Sequence, residues 1–222
     1  MKYMNFIFDL YGTLIDIHTD EEEPRLWKFM SGYLLKNFGT DIEPKELRRR
    51  YIKECALKEK ELKKENGSSF PEIKIEWVWA ELIGKPVAED EMRKLCIAFR
   101  EKSRDKMKVY DGVFEALSAI KKSGGRIFLL SNAQRLFTEK ELDDTGLTSY
   151  FDDIFISSDW GIKKPEVRFM EALIEKHNLN KEECVMIGNE EAADGKVAIA
   201  AGIDYIIVTD FNISLEKLLD KA

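Results

Sequence analysis

Four short apolar runs, each continuous rather than alternating, most constrain what this chain can fold into. They are residues 3–8, 126–130, 184–187 and 205–208, with a weaker fifth at 153–156. A strand with one wet face alternates apolar and polar residues. A strand covered on both faces does not, and such strands belong to parallel sheets sandwiched between helices. The stretches between the runs have helical spacing. Residues 112–122 place Val113, Leu117 and Ile120 on one face, and Gly124-Gly125 closes the stretch. Residues 165–177 repeat the pattern with Phe169, Leu173 and Ile174, and residues 196–202 are short and Ala-rich. Strand and helix in alternation with short turns predict an α/β protein with a doubly wound, Rossmann-like parallel sheet.

Residues 16–107 break this rhythm. They are highly charged, carry little strand signal, and hold four of the five prolines. Helices are predicted over residues 24–38, 44–64, 73–82 and 89–106, with a loop at Asn66-Gly67-Ser68-Ser69. The expected organisation is a core of residues 1–15 and 108–222, with residues 16–107 inserted after the first strand as a helical cap over the sheet's C-terminal edge. Trp27, Phe29, Trp77 and Trp79 fit either an apolar roof or packing between cap helices. His18 fits a hinge or the rim of a site.

Composition excludes several classes. A net charge of −7 with no basic stripe argues against nucleic-acid binding. Cys55, Cys96 and Cys184 are odd in number and far apart, which predicts no disulfide framework or metal spacing and suits a reducing compartment. No run approaches the ~18 apolar residues of a membrane span. The expectation is a soluble cytoplasmic protein, monomer or homodimer, acting on a small anionic metabolite.

Chemistry-bearing residues sit where the apolar runs end. Asp9 closes the first run and Thr13 follows it. Ser131-Asn132 follow Leu129-Leu130. Lys164 precedes Pro165 at a predicted helix start. Gly188-Asn189-Glu190-Glu191-Ala192-Ala193-Asp194 follow Val185-Met186-Ile187. In a parallel sheet these four ends converge on one edge, where α/β proteins bind ligands. A carboxylate buried there must find a cation or donors, or else hold its proton. Singly, each residue is explained as a turn or a helix cap. The ordered set of four is far more specific.

Together the four pieces resemble the haloacid dehalogenase superfamily: Asp-x-(Asp/Tyr)-Gly-Thr at Asp9 to Thr13, a strand-end Ser at Ser131, a Lys before a helix at Lys164, and an acidic loop at Asn189 to Asp194. The resemblance covers the whole chain. It implies that Asp9 is a nucleophile forming a covalent aspartyl ester that water cleaves. Thr13, Ser131 and Lys164 would stabilise charge on the transferred group. Tyr11 would stand among the catalytic residues. Gly12, Asn132 and Arg25 would contact substrate, with Arg49 a further candidate by position.

Tyr11 divides the family reading. Superfamily phosphatases carry a second Asp there as general acid and base, whereas 2-haloacid dehalogenases carry Tyr and need no metal. Ser131-Asn132 matches the dehalogenases too. The acidic fourth loop points the other way. Asp9, Glu190, Glu191 and Asp194 would crowd one pocket against Lys164, and a divalent cation would relieve the repulsion. The expected Mg²⁺ ligands are Asp9, the Tyr11 carbonyl, Asn189, Glu190 and Asp194. The favoured expectation is Mg²⁺-dependent hydrolysis of a small phosphorylated metabolite. Metal-independent 2-haloacid hydrolysis and a weakly active or ligand-binding role remain as alternatives.

Overall fold

The computed structural model describes residues 2–211. The chain runs β1 (Asn5–Phe8), β2 (Ile15–Thr19), α1 (Pro24–Phe38), α2 (Pro44–Asn66), α3 (Ile75–Ile83), α4 (Glu89–Ser103) and β3 (Arg104–Val109). It continues with α5 (Val113–Lys122), β4 (Arg126–Ser131), α6 (Arg135–Thr145), β5 (Asp153–Ile156), α7 (Ser157–Trp160), α8 (Val167–Lys176), β6 (Cys184–Gly188), α9 (Lys196–Ala201) and β7 (Asp204–Ile207). Five strands form one sheet in the order β5-β4-β1-β6-β7, every pairing parallel. The fifth, weaker apolar run is a strand at the sheet's edge.

The continuous apolar runs are buried on both faces. Phe6, Phe8, Ile127, Leu129, Val185 and Ile187 face one side and pack with α5. Ile7, Phe128, Leu130 and Met186 face the other and pack with α8 and α9. Each large side chain buried this way contributes about 1.5–3 kcal/mol, so slipping a strand by one residue would exchange the two cores. In register, Phe8 stands opposite Leu129 on β4 and Ile187 on β6. The residues following these three are therefore delivered to one edge.

Four helices, α1 to α4, occupy the interruption, and they have an apolar cluster of their own. Trp27, Tyr51, Trp79 and Phe99 pack ring on ring there, with centroids 5.1 to 5.9 Å apart. Packing between helices is thus what Trp27 and Trp79 do, while Trp77 and Phe29 are partly exposed on the outside. Pro24 and Pro44 each open a helix, where a missing N–H costs nothing.

Two features depart from the sequence expectation. The helix expected to reach residue 106 stops at Ser103, and residues 104–109 form β3, antiparallel to β2. This two-stranded ribbon carries the insert. His18 lies exposed on it, with Nδ1 2.8 Å from Asp105 Oδ1. The second departure is α6, a helix that was not anticipated, which packs against α4. Residues 212–222 of the expected core lie outside the described residues.

Candidate active site

The chain leaves the sheet after Phe8 and turns sharply. Asp9 N–H is held by Ile187 O at 2.9 Å, and the N–H groups of Thr13, Leu14 and Ile15 all point at Leu10 O. Gly12 takes a left-handed φ of 78° at the centre of the turn. A Cβ there would lie 2.4 Å from Asn189 Nδ2, so only glycine lets the first loop close on the fourth. Gly188 serves the same purpose, because a Cβ would sit 2.2 Å from the Asp194 carboxylate.

These turns bring the expected polar residues together. Lys164 is 3% exposed, and its Nζ donates to Asp9 Oδ1 and to Asp194 Oδ1, each at 2.7 Å. The other Asp9 oxygen accepts from Thr13 Oγ1 at 3.1 Å, and that hydroxyl also lies 3.1 Å from Asn189 Oδ1. The second Asp194 oxygen accepts from Glu190 N–H at 3.0 Å. Asn132 positions the lysine by pairing with its backbone: its Oδ1 accepts Lys164 N–H at 2.8 Å and its Nδ2 donates to Lys164 O at 3.1 Å. Ser131 Oγ is buried and has no hydrogen-bond partner among the described residues. A buried hydroxyl left unpaired is costly, so it marks a place where a ligand oxygen would restore the bond.

Burial pushes the Asp9 carboxyl above the usual carboxylate range; the Lys164 ammonium pulls it back, and the neighbouring Asp194 charge adds to the rise. For Lys164, burial opposes the charge, but the two carboxylates outweigh it and hold the ammonium above its ordinary value. The expected crowding by four carboxylates does not occur. Glu191 turns outward and accepts from Tyr205 OH at 2.8 Å, and Glu190 lies exposed at the rim. Two buried carboxylates face one ammonium.

Tyr11 lines the same cavity, yet its hydroxyl is committed elsewhere. It donates to Glu141 on α6 and lies 3.1 Å from Thr138 Oγ1. Glu141 is in turn held by Arg100 at 2.8 Å and Arg104 at 2.7 Å. Nothing in the sequence pattern marked these three residues. Arg25 is not brought to Asp9. It lies exposed in the first turn of α1, in a separate hollow with Asp20, Phe29 and Lys102. Arg49 is also exposed and pairs with Glu46.

The residues lining the cavity set which donors a bound ion would meet. Among the described residues no group of three or more His, Cys, Asp or Glu side chains is placed to hold a metal. Mg²⁺ needs only one or two carboxylates, completed by carbonyl, water and phosphate oxygens. Asp9, Tyr11, Asn189 and Glu190 border one cavity. Both oxygens of Asp9 and both of Asp194 accept hydrogen bonds from the protein.

A family model for haloacid dehalogenase-like hydrolases matches residues 3–202. The HAD-hydrolase YfnB of Bacillus subtilis is 30% identical over 95 residues, 42% of this chain and 40% of that protein. Its solved structure, described as bound to magnesium and revealing interdomain movement, superposes with a TM-score of 0.54 at 20% identity, covering 94% and 89% of the two chains. The pyrophosphatase PpaX of Listeria monocytogenes is 28% identical over 127 residues, 55% of this chain and 58% of that protein. The L-2-haloacid dehalogenase of Xanthobacter autotrophicus shares the fold, with a TM-score of 0.54 at 16% identity over 97% of this chain and 80% of that one. The match spans about half the length of these curated relatives.

Proposed function

We propose that this chain, which belongs to the haloacid dehalogenase-like hydrolases, hydrolyses a small phosphorylated compound through Asp9 with Mg²⁺ as its cofactor. The observation that carries this reading is the charge and donor pattern around Asp9. Two carboxylates and one ammonium leave a net negative site, and β4, the strand paired with β1, ends in a buried hydroxyl, Ser131 Oγ, without a partner. A phosphoryl group brings oxygens that such a hydroxyl can bond. It also brings charge that this site cannot balance without a cation.

In this reading an Asp9 oxygen attacks phosphorus. The bond from phosphorus to the leaving oxygen breaks, and its electron pair stays on that oxygen. Water then cleaves the aspartyl phosphate, releasing inorganic phosphate and restoring Asp9. Lys164 fixes one Asp9 oxygen and Thr13 the other, so the carboxylate is presented in one orientation. Lys164, and Ser131 at the end of β4, would stabilise the charge that develops on the transferred group. Tyr11 directs its proton at Glu141, so leaving groups that depart without protonation are favoured. When bound, Mg²⁺ would supply positive charge against the phosphoryl oxygens, held by Asp9, the Tyr11 carbonyl and Asn189, with Glu190 at the rim.

Tyr11 and the Ser131-Asn132 pair favour 2-haloacid hydrolysis, but that substrate's carboxylate needs a cationic partner. Lys164 is the only basic residue lining the cavity among the described residues, and it is already shared between two aspartates. Phosphate and halide release from a mixed substrate panel, with Mg²⁺ and then with EDTA, separates the two. The expected result is Mg²⁺-dependent phosphate release that disappears in Asp9→Asn. Halide release that survives EDTA would overturn the reading in favour of a dehalogenase.

A further inference from the structure

The turn after β1 fixes its residues unequally. Leu10 O gathers three N–H groups, and Gly12 N–H donates to Ile15 O at 2.8 Å. The N–H and C=O of Tyr11 take part in none of the turn's main-chain hydrogen bonds. Yet Tyr11 stands two residues after Asp9 and lines the same cavity. Its carbonyl is also one of the oxygens proposed for Mg²⁺. The main chain of the turn therefore leaves unfixed a residue that the reaction needs in place.

What holds Tyr11 is its side chain. Thr138 and Glu141 lie three residues apart on α6 and so share a face. The Tyr11 hydroxyl reaches both, donating to Glu141 Oε2. Thr138 is fully buried and Glu141 is 2% exposed. Glu141 Oε1 accepts from Arg100 Nε at 2.8 Å and Arg104 Nη1 at 2.7 Å, and Oε2 accepts from Arg100 Nη2 at 3.2 Å. The Arg100 guanidinium carbon stands 5.1 Å from the centre of the Tyr11 ring, so ring and hydroxyl are both held. A main-chain carbonyl would have satisfied the phenol. A carboxylate holds it harder, because a hydrogen bond to an ionised acceptor is about twice as strong as a neutral one. Buried ionic groups add little net stability over apolar packing, and their best-attested use is to fix one arrangement against others.

We infer that Glu141 is a positioning residue for the nucleophile turn: through the Tyr11 hydroxyl it fixes the Tyr11 main chain, and with it the carbonyl that would meet Mg²⁺ beside Asp9. This rests on the proposed Mg²⁺-dependent reaction at Asp9. Arg100 and Arg104 serve by keeping the carboxylate charged and in one orientation. Groups that orient a metal ligand are typically worth about 10–100-fold in metal affinity. A displacement of about 1 Å at reacting atoms costs about 100-fold in rate.

The test compares Glu141→Gln and Tyr11→Phe with the wild type, below the melting transition of each. Glu139→Gln, at a half-exposed position on the same helix, is the control. Mg²⁺ binding to the substrate-free protein, read by calorimetry, is expected to weaken about tenfold or more in both variants and to stay unchanged in the control. With acetyl phosphate as the probe and Mg²⁺ saturating, kcat is expected to fall about 10–100-fold while KM stays within a factor of about three. In the double variant the loss should match that of the weaker single variant, because both changes cut one bond, and losses that multiply overturn the inference. A lowered melting temperature with kcat and Mg²⁺ affinity at the wild-type level also overturns it, since Glu141 would then be structural only. If Glu141→Gln does not fold, Arg104→Gln takes its place, removing one of the two cations. A further arm needs neither metal nor turnover. Hydrogen exchange at the Gly12 and Thr13 amides is expected to quicken about tenfold in both variants while β4 stays as in the wild type. Unchanged exchange at these amides overturns the inference. If the wild type binds no Mg²⁺, or releases no phosphate in an Asp9-dependent way, the proposed reaction fails, and the exchange arm still decides whether Glu141 positions the turn.

Discussion

Two buried charged clusters hang from the same loop, and they are built on opposite plans. Around Asp9, two carboxylates share one ammonium, and the hydroxyl of Ser131 at the end of the adjacent strand β4 goes unpaired. Around Tyr11, two residues on, one carboxylate is met by two guanidiniums and a phenol. The first cluster is short of positive charge, whereas the second has it in surplus. Folding stability alone would favour the second plan everywhere, because an under-neutralised buried charge is destabilising. The deficit at Asp9 is what leaves room for an anion and a cation to bind, and the surplus at Glu141 is what keeps the neighbouring loop in place while they do.

Lys164→Met tests the deficient cluster hardest. It leaves Asp9 and Asp194 buried without their only cation, and the expected cost is about 3–5 kcal/mol. For a domain of this size that lowers the melting temperature by roughly 10 °C. Adding Asp194→Asn to this variant is expected to recover part of the loss, since one carboxylate is easier to bury than two. Thermal unfolding of the pair of variants checks both statements. A Lys164→Met protein as stable as the wild type would mean that the ammonium serves chemistry only.

That contrast also explains what could be read from the sequence. Asp9 and Ser131 close apolar runs and Lys164 and Asp194 lie in the turns after two others, so the meeting of Asp9, Lys164 and Asp194 at one edge followed from the parallel sheet those runs predicted. Glu141 carried no such mark. It sits in a helix among Glu139, Lys140, Asp143 and Asp144, where one more acid looks solvated, and only the tertiary approach of Arg100 and Arg104 buries it. The β2–β3 ribbon was legible in principle. Ile15, Asp16, Ile17, His18 on one strand and Lys106, Met107, Lys108, Val109 on the other alternate with period two. The high charge of the surrounding insert masked the alternation. Arg25 was placed by position alone, and position along a helix does not say which hollow the helix faces.

Glu141→Gln addresses the surplus cluster. Arg100 and Arg104 are 12% and 18% exposed at the side chain, so water relieves part of the lost charge. The expected destabilisation is accordingly smaller, about 2 kcal/mol by urea unfolding. A loss as large as that of Lys164→Met would mean that the two clusters are equally strained and that the contrast drawn between them is wrong.

Tyr11→Phe removes the smallest piece, and its effect depends on pH. At neutral pH the variant forfeits one hydrogen bond to a carboxylate that two arginines still satisfy, a cost of about 1 kcal/mol. Burial, reinforced by the Glu141 charge, holds the Tyr11 phenol above its ordinary value of 10.0. Above pH 10 the unfolded chain releases that proton while the folded chain keeps it. The folded state then binds more protons, and stability falls as pH rises. Phenylalanine has no proton to keep. The wild type is therefore expected to lose stability faster than Tyr11→Phe above pH 10, and the gap between them to narrow. Other phenols are held high as well, Tyr51 among them, but they are common to both proteins and cancel in the difference. Urea midpoints at pH 7, 9 and 10.5 measure it. A gap that stays constant with pH would show that the Tyr11 hydroxyl is not held protonated by its surroundings, and the loop would then owe its position to packing rather than to Glu141.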